Sequence, residues 1–168
     1  MEPEVYTETV LHTIVEKHIT RISGAHRTVK KYMLGAMAVG VIPVPMLDLA
    51  VLTGLQLDMI HSISQRYEVP FSKELAKSIV SVLAGDAVLF TTATPVASLI
   101  KIVPVLGQLS GTISMITLGG ATTYAIGKVF IQHFESGGTF LDFNLEKAKA
   151  HFYAFYKEWQ QLTVKTIN

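Results

Sequence analysis

Glu8, His12 and Glu16 stand at i, i+4 and i+8 near the N-terminus, with His18 close behind, and Asp58 and His61 form a D-x-x-H pair. On a helix this spacing gathers carboxylate and imidazole on one face, where they can hold a divalent metal. A di-metal site in a bundle needs Glu-x-x-His twice, with further inward carboxylates. Here the N-terminal group falls on a polar helix face and no second motif exists, so solvated charge is expected and no metal. Gly127-Lys128 ends a glycine-containing stretch from Gly120, but a phosphate loop needs four residues between its glycines and Ser or Thr after the Lys. Six intervene, and Val129 follows. There is no G-x-S-x-G and no spaced Ser/His/Asp set. With no cysteine in the chain, thiolate metal sites, disulfides and Cys nucleophiles are excluded. The expectation is no enzyme, no catalytic residue and no cofactor.

Asp48 and Lys101 are the charges that stand out, each inside an apolar stretch beside prolines. An isolated charge in such a setting must cap a helix, find a partner or reach an interface. Asp48 reads as the N-cap of a helix running to about Tyr67. An Asp48–Lys101 pair pinning two hairpins is the alternative.

The elements that would carry these residues are helices. From Val5 the apolar positions Val10, Leu11, Ile14, Val15, Ile19 and Ile22 make a helical stripe. Pro3 suits the first turn, and Gly24 is expected to end or kink the helix, which is read over 4–23. At the other end Leu145, Ala148, Phe152, Phe155, Trp159 and Leu162 step 3, 4, 3, 4, 3, an apolar seam on a helix over 145–165 capped by Asn144. The two terminal helices are expected to pair, burying Ile14 and Ile22 against Phe152, Phe155 and Trp159 as a lid over the middle.

That middle is apolar. Tyr32 to Leu57 contains one charge, Asp48, and Ile102 to Gly127 is an uncharged run of 26 residues. About 20 apolar residues span a bilayer as a helix, but Pro43 and Pro45 cut the first run and Pro95 and Pro104 the second. Two Pro-broken helical hairpins result, either re-entrant in lipid or buried in a globule. Gly107 and Gly111 form a G-x-x-x-G, which serves helix association in lipid or ordinary tight packing. Ser72 is expected to cap a further helix.

The whole chain, residues 1–168, reads as one helical domain. Hydrophobic residues are 49% and charged residues 16% of it, which excludes a disordered chain. Fourteen basic against thirteen acidic residues leave no bulk positive field, so no nucleic-acid partner is expected. Met1 to Glu8 carries three glutamates with no apolar stretch behind them, unlike a signal peptide. Arg21, His26, Arg27, Lys30 and Lys31 cluster ahead of the first apolar run, as anionic-lipid contacts or as a solvated face.

Two stretches are distinctive: V-G-V-I-P-V-P-M-L-D-L-A-V-L-T-G-L-Q-L-D-M-I over Val39–Ile60, and G-K-V-F-I-Q-H-F-E-S-G-G-T-F-L-D-F over Gly127–Phe143. With V-P-F-S-K-E-L-A-K and I-V-P-V-L-G between them, they resemble the YcjF-type bacterial family of GTPase-associated helical domains, the domain of unknown function 697. The resemblance covers about 28–143. It implies membrane association and a GTPase partner, and it carries no catalytic residue. Pro43, Pro45 and Asp48 lie in its motifs and read as structural.

The fold expected is therefore all-α, about seven helices, with amphipathic terminal helices flanking two apolar hairpins. The function expected is that of a non-enzymatic membrane-associated or self-assembling protein, a homo-oligomer working with a GTPase partner. Its expected place is the cytoplasm, at the inner face of the cytoplasmic membrane, with membrane lipid as a further partner. The alternative is a soluble helical adaptor with the hairpins as its core. Candidate interaction residues are Pro43, Pro45, Asp48, Lys101, Gly107, Gly111, Phe152, Phe155 and Trp159.

Overall fold

The structure, a computed structural model, describes residues 3–39, 47–93 and 107–167, with side-chain surroundings for most of 8–39, 50–87 and 116–162. Among these residues there are five helices and no strand: α1 (Pro3–Val39), α2 (Leu47–Arg66), α3 (Lys73–Ala93), α4 (Gly107–Glu135) and α5 (Leu145–Ile167). The all-α reading holds, but the described helices are five where about seven were expected. Pro43, Pro45, Pro95, Pro104 and Lys101 lie outside the described residues, as does the proposed Asp48–Lys101 pair.

The main correction is α1. Gly24 does not end it, and the helix runs 37 residues without a break. A mid-helix glycine costs about 0.5–1 kcal/mol relative to alanine. Here the guanidinium tip of Arg66, from α2, lies over the open position. A Cβ on Gly24 would meet Arg66 Nη1 at 2.6 Å. Thr28 Oγ1 donates to the Gly24 carbonyl at 3.1 Å and accepts from Arg66 Nε at 3.3 Å. Gly24 does not stop the helix.

The other ends follow local rules. Ser72 caps α3, its Oγ accepting from the Leu75 amide, and Asn144 caps α5, its Oδ1 accepting from the Lys147 amide at 3.0 Å. Asp48 is the second described residue of α2, and its side chain, with the expected capping role, lies outside the described residues. The C-termini of α2 and α4 close in the same way. Val69 N–H returns to Ser64 O and Glu68 N–H to Gln65 O; Gly138 N–H returns to His133 O and Gly137 N–H to Phe134 O. This double bond pattern needs a left-handed residue at the turn. At α4 that residue is Gly137 (φ 82°), but at α2 it is Glu68 (φ 57°). The left-handed region costs a non-glycine residue about 1–2 kcal/mol, against the extra chain freedom a glycine loses on folding. Glu68→Gly is therefore expected to stabilise by about 0.5–1 kcal/mol net, read as a rise in the urea midpoint at unchanged slope.

The core is one contiguous cluster. It joins Ala25 and Val29 of α1, Met59, Ile60 and Ile63 of α2, buried residues from Ala76 to Ala87 of α3 and from Ala121 to Phe134 of α4, and Ala148, Phe152, Tyr156 and Trp159 of α5. Helix α4 is the axle, packing against the other four. It runs antiparallel to α1, with Gly119 beside the Ala36 carbonyl, Gly127 beside Val29, and Glu135 beside Arg21 and His18. Small residues on α4 thus let α1 come close, with Gly119, Gly120 and Gly127 at the contact. Gly107 and Gly111 lie in the first two turns of the same helix, where side-chain surroundings are not described.

Candidate interaction surfaces

The first surface is the N-terminal half of α1. Its stripe extends the packed half: on one helix face Val29, Ala25 and Ile22 are followed toward the N-terminus by His18, then Val15 and Leu11, with Ile14 and Ile19 at the edges. Past Arg21 the covering ends, because α4 stops at Glu135. Residues 8–20 are all exposed, among them Val10 at 55%, Leu11 at 58%, Ile14 at 61%, Val15 at 49% and Ile19 at 59%. The expected lid is corrected here. Ile14 is bare, and α5 meets α1 only in its second half.

Trp159 shows where α5 goes instead. It is 6% exposed and its Nε1–H donates to Met33 Sδ at 3.1 Å. Its ring lies over Gly120, where a Cβ would meet Cζ2 at 3.2 Å. Phe152 is fully buried. Phe155 is half-buried, with the Lys128 ammonium 5.2 Å from its ring centre. Tyr156 takes the buried place, and burial pushes its phenol up to about 12. Leu145 and Leu162, the ends of the expected seam, are exposed. The buried stripe is 148, 152, 156, 159, nearer to the 3.6-residue helix period than a strict 3–4 alternation.

Charges close the end of the bundle. Glu135 meets His18 Nε2 at 3.3 Å and Arg21 Nε at 3.6 Å. Arg21 Nη2 donates to His18 Nδ1 at 3.0 Å, so His18 carries its proton on Nε2, toward the carboxylate. The Arg21 guanidinium covers the Tyr67 ring at 4.9 Å. Burial, then the neighbouring Glu135, pushes the Tyr67 phenol well above its usual range. In the turn after α4, the Thr139 hydroxyl and amide both donate to Asp142 Oδ1, at 2.7 and 2.6 Å, and hold that carboxyl below the usual range. His133 Nε2 donates to Thr139 O at 2.7 Å. Lys149 pairs with Asp86 at 2.9 Å, tying α5 to α3.

The residues with metal-like spacing do not converge. His12 and Glu16 form a loose solvent-exposed pair at 3.8 Å, and His61 stacks on Phe71 at 4.6 Å and bonds Gln65. Among the described residues no three His, Asp or Glu side chains are grouped to hold a metal ion. No described helix is long and apolar enough to cross a membrane.

The second surface is a cleft of about 460 Å³ between α1 and α2, lined by Gly24, Arg27, Thr28, Lys31, Tyr32, Ser62, Gln65 and Arg66. The basic cluster near residue 25 is thereby divided. Arg21 goes to Glu135. His26 is half-buried, and burial, then Lys128, lowers its proton affinity. Arg27 and Lys31 line the cleft together with Arg66, 35 positions beyond Lys31, which no local pattern links to them.

The family model of the Domain of unknown function (DUF697) matches residues 9–159. The chain is 36% identical over 142 residues to magnetosome membrane protein 22 of Magnetospirillum gryphiswaldense, a match covering 84% of this chain and 73% of that protein. No solved structure matches.

Proposed function

The chain belongs to the DUF697 family, and from that premise we propose that it is a non-enzymatic helical protein that attaches peripherally to a membrane through the bare stripe of α1. The observation that carries the reading is the stripe itself: five large apolar side chains about half exposed or more, on a helix that continues past its covering. Such a helix lies in the headgroup layer with its apolar face down. Burying the exposed part of each side chain contributes on the order of 1 kcal/mol, about 5 kcal/mol together, which gives reversible attachment. The name of magnetosome membrane protein 22 supports the same reading. The cytoplasmic membrane face, a GTPase partner and self-association, all expected from sequence, belong to this proposal. Two copies sharing the stripe would be the form of the last.

Leu11→Asp/Ile14→Asp tests it. Both residues are exposed, so folding should change by no more than about 0.5 kcal/mol. Flotation with vesicles of phosphatidylcholine and phosphatidylglycerol should show binding by the parent chain and a loss of at least about tenfold in the variant. Equal flotation of the two would reject the stripe as the attachment.

A further inference from the structure

We propose that the cleft between α1 and α2 is a binding site for a phosphate group. Three cations line it, Arg27, Lys31 and Arg66, and no carboxylate does. None of the three has an ion-pair partner among the described residues, although every other lining group is neutral. In a chain of fourteen basic and thirteen acidic residues, this is a marked segregation of charge. Arg27 and Lys31 stand at i and i+4 on one face of α1, a like-charge pair that weakens a helix. Folding then brings Arg66 against them from α2. Thr28 holds Arg66 in the cleft by accepting from its Nε at 3.3 Å, and the guanidinium lies over Gly24. A charge arrangement that disfavours the empty state and is held by a threonine is suited to an anion.

The chemistry points to phosphate over a carboxylate. Two guanidinium forks and an ammonium offer donors in excess of what two carboxylate oxygens accept, and they match a tetrahedral dianion. Tyr32 and Ser62 add hydroxyls, 3.4 Å from each other. Ser62, Gln65 and Arg66 lie in the last turns of α2, where the helix dipole opposes an anion by a few tenths of a kcal/mol to about 1. Three full charges outweigh that. The volume exceeds what a bare phosphate fills, and small-molecule sites start near 300 Å³, so an organic group on the phosphate fits. The phosphate can come from a soluble phosphomonoester or from a lipid headgroup. At 100° per residue, Arg27 and Lys31 point to the side of α1 opposite Leu11 and Val15, the centre of the bare stripe. The site does not rest on the membrane reading.

Sodium phosphate, titrated against sodium chloride at matched ionic strength, should raise the melting temperature of the parent chain by mass action. The apparent affinity should fall at least about tenfold in Arg66→Gln and in Arg27→Gln/Lys31→Gln. The second variant alters only exposed side chains, so it remains informative if Arg66→Gln perturbs the α1–α2 contact. A phosphate effect lost in the variants assigns the site and a soluble source. A vesicle-binding loss in Arg27→Gln/Lys31→Gln, reversed by neither chloride nor the stripe residues, assigns a headgroup source. No phosphate stabilisation and no vesicle difference, or equal effects in parent and variants, overturns the proposal. Leu11→Asp/Ile14→Asp should keep its phosphate response, so failure of the stripe and failure of the cleft are told apart.

Discussion

Phe130→Ala is expected to destabilise the protein by about 3–5 kcal/mol. Phe130 is fully buried on α4, with ring centres of Phe134, Phe140 and Phe143 at 5.7, 5.8 and 5.0 Å. Those partners come from two places. Phe134 is one turn further along the helix, while Phe140 and Phe143 belong to the segment that folds back after the Gly137 turn. Phe130 therefore fastens that segment to the bundle, and the segment in turn delivers Asn144 to cap α5. Truncation removes the transfer energy of the ring, leaves a cavity, and forfeits aromatic pairs worth about 0.5–1.5 kcal/mol each. Against a typical total of about 5–15 kcal/mol, that is a large fraction. At about 2–4 °C per kcal/mol for a chain of this size, the melting temperature should fall by about 10 °C. Phe130→Leu, which keeps most of the volume, should cost about half as much. A shift of less than about 1 kcal/mol for the alanine variant would mean that the aromatic cluster is not a packed unit.

How much of this was legible varies with how local the cause is. Ser72 and Asn144 are read as caps because a cap is a matter of three or four neighbouring residues, and the structure places their oxygens on the expected amides. The all-α class is legible because the period of apolar residues is local as well. Gly24 misleads because a glycine is only a weak stop signal, and the helix runs on through it, held by the buried Ala25, Val29 and Ala36 further along. The C-terminal seam misleads in a milder way. Counting only hydrocarbon side chains selects Phe155, whereas the helix period selects Tyr156, whose hydroxyl disguises a buried ring. The pairing of the terminal helices fails for a physical reason. Apolar stripes on two helices say that each needs cover but not from what, and α4, with its small residues, offers α1 and α5 each a closer fit. The phosphate cleft was half visible, since Arg27 and Lys31 are neighbours in sequence. Nothing in the sequence marks Arg66 as their third member. What remained in view throughout is the stripe from Val10 to Ile19, correctly read as amphipathic and wrongly supplied with a partner.

That close fit yields the second large effect. Gly127→Val is expected to cost about 3 kcal/mol, at the upper end for overpacking. A Cβ at Gly127 would already meet Val29 Cγ2 at 2.5 Å, Val29 Cγ1 at 2.9 Å and Met59 Sδ at 3.2 Å. The methionine can give way, because its thioether is flexible. Val29 cannot, because a β-branched side chain on a helix has one strongly preferred rotamer, so the two methyls stay where they are and the helices must move apart. α1 and α4 are the most extensively packed pair, so a small separation is felt along the whole seam. Gly127→Ala divides the effect. Alanine gains up to about 1 kcal/mol in helix propensity, and the contact with Val29 opposes it, so the net cost should be about 1–2 kcal/mol. Making the room on the other side should recover it. Val29→Ala alone leaves a cavity, but in Val29→Ala/Gly127→Ala the new methyl fills part of the space. The double variant should be more stable than the sum of the single effects by about 1–2 kcal/mol, measured by urea denaturation as a double-mutant cycle. Additive single effects would place Val29 and Gly127 out of contact.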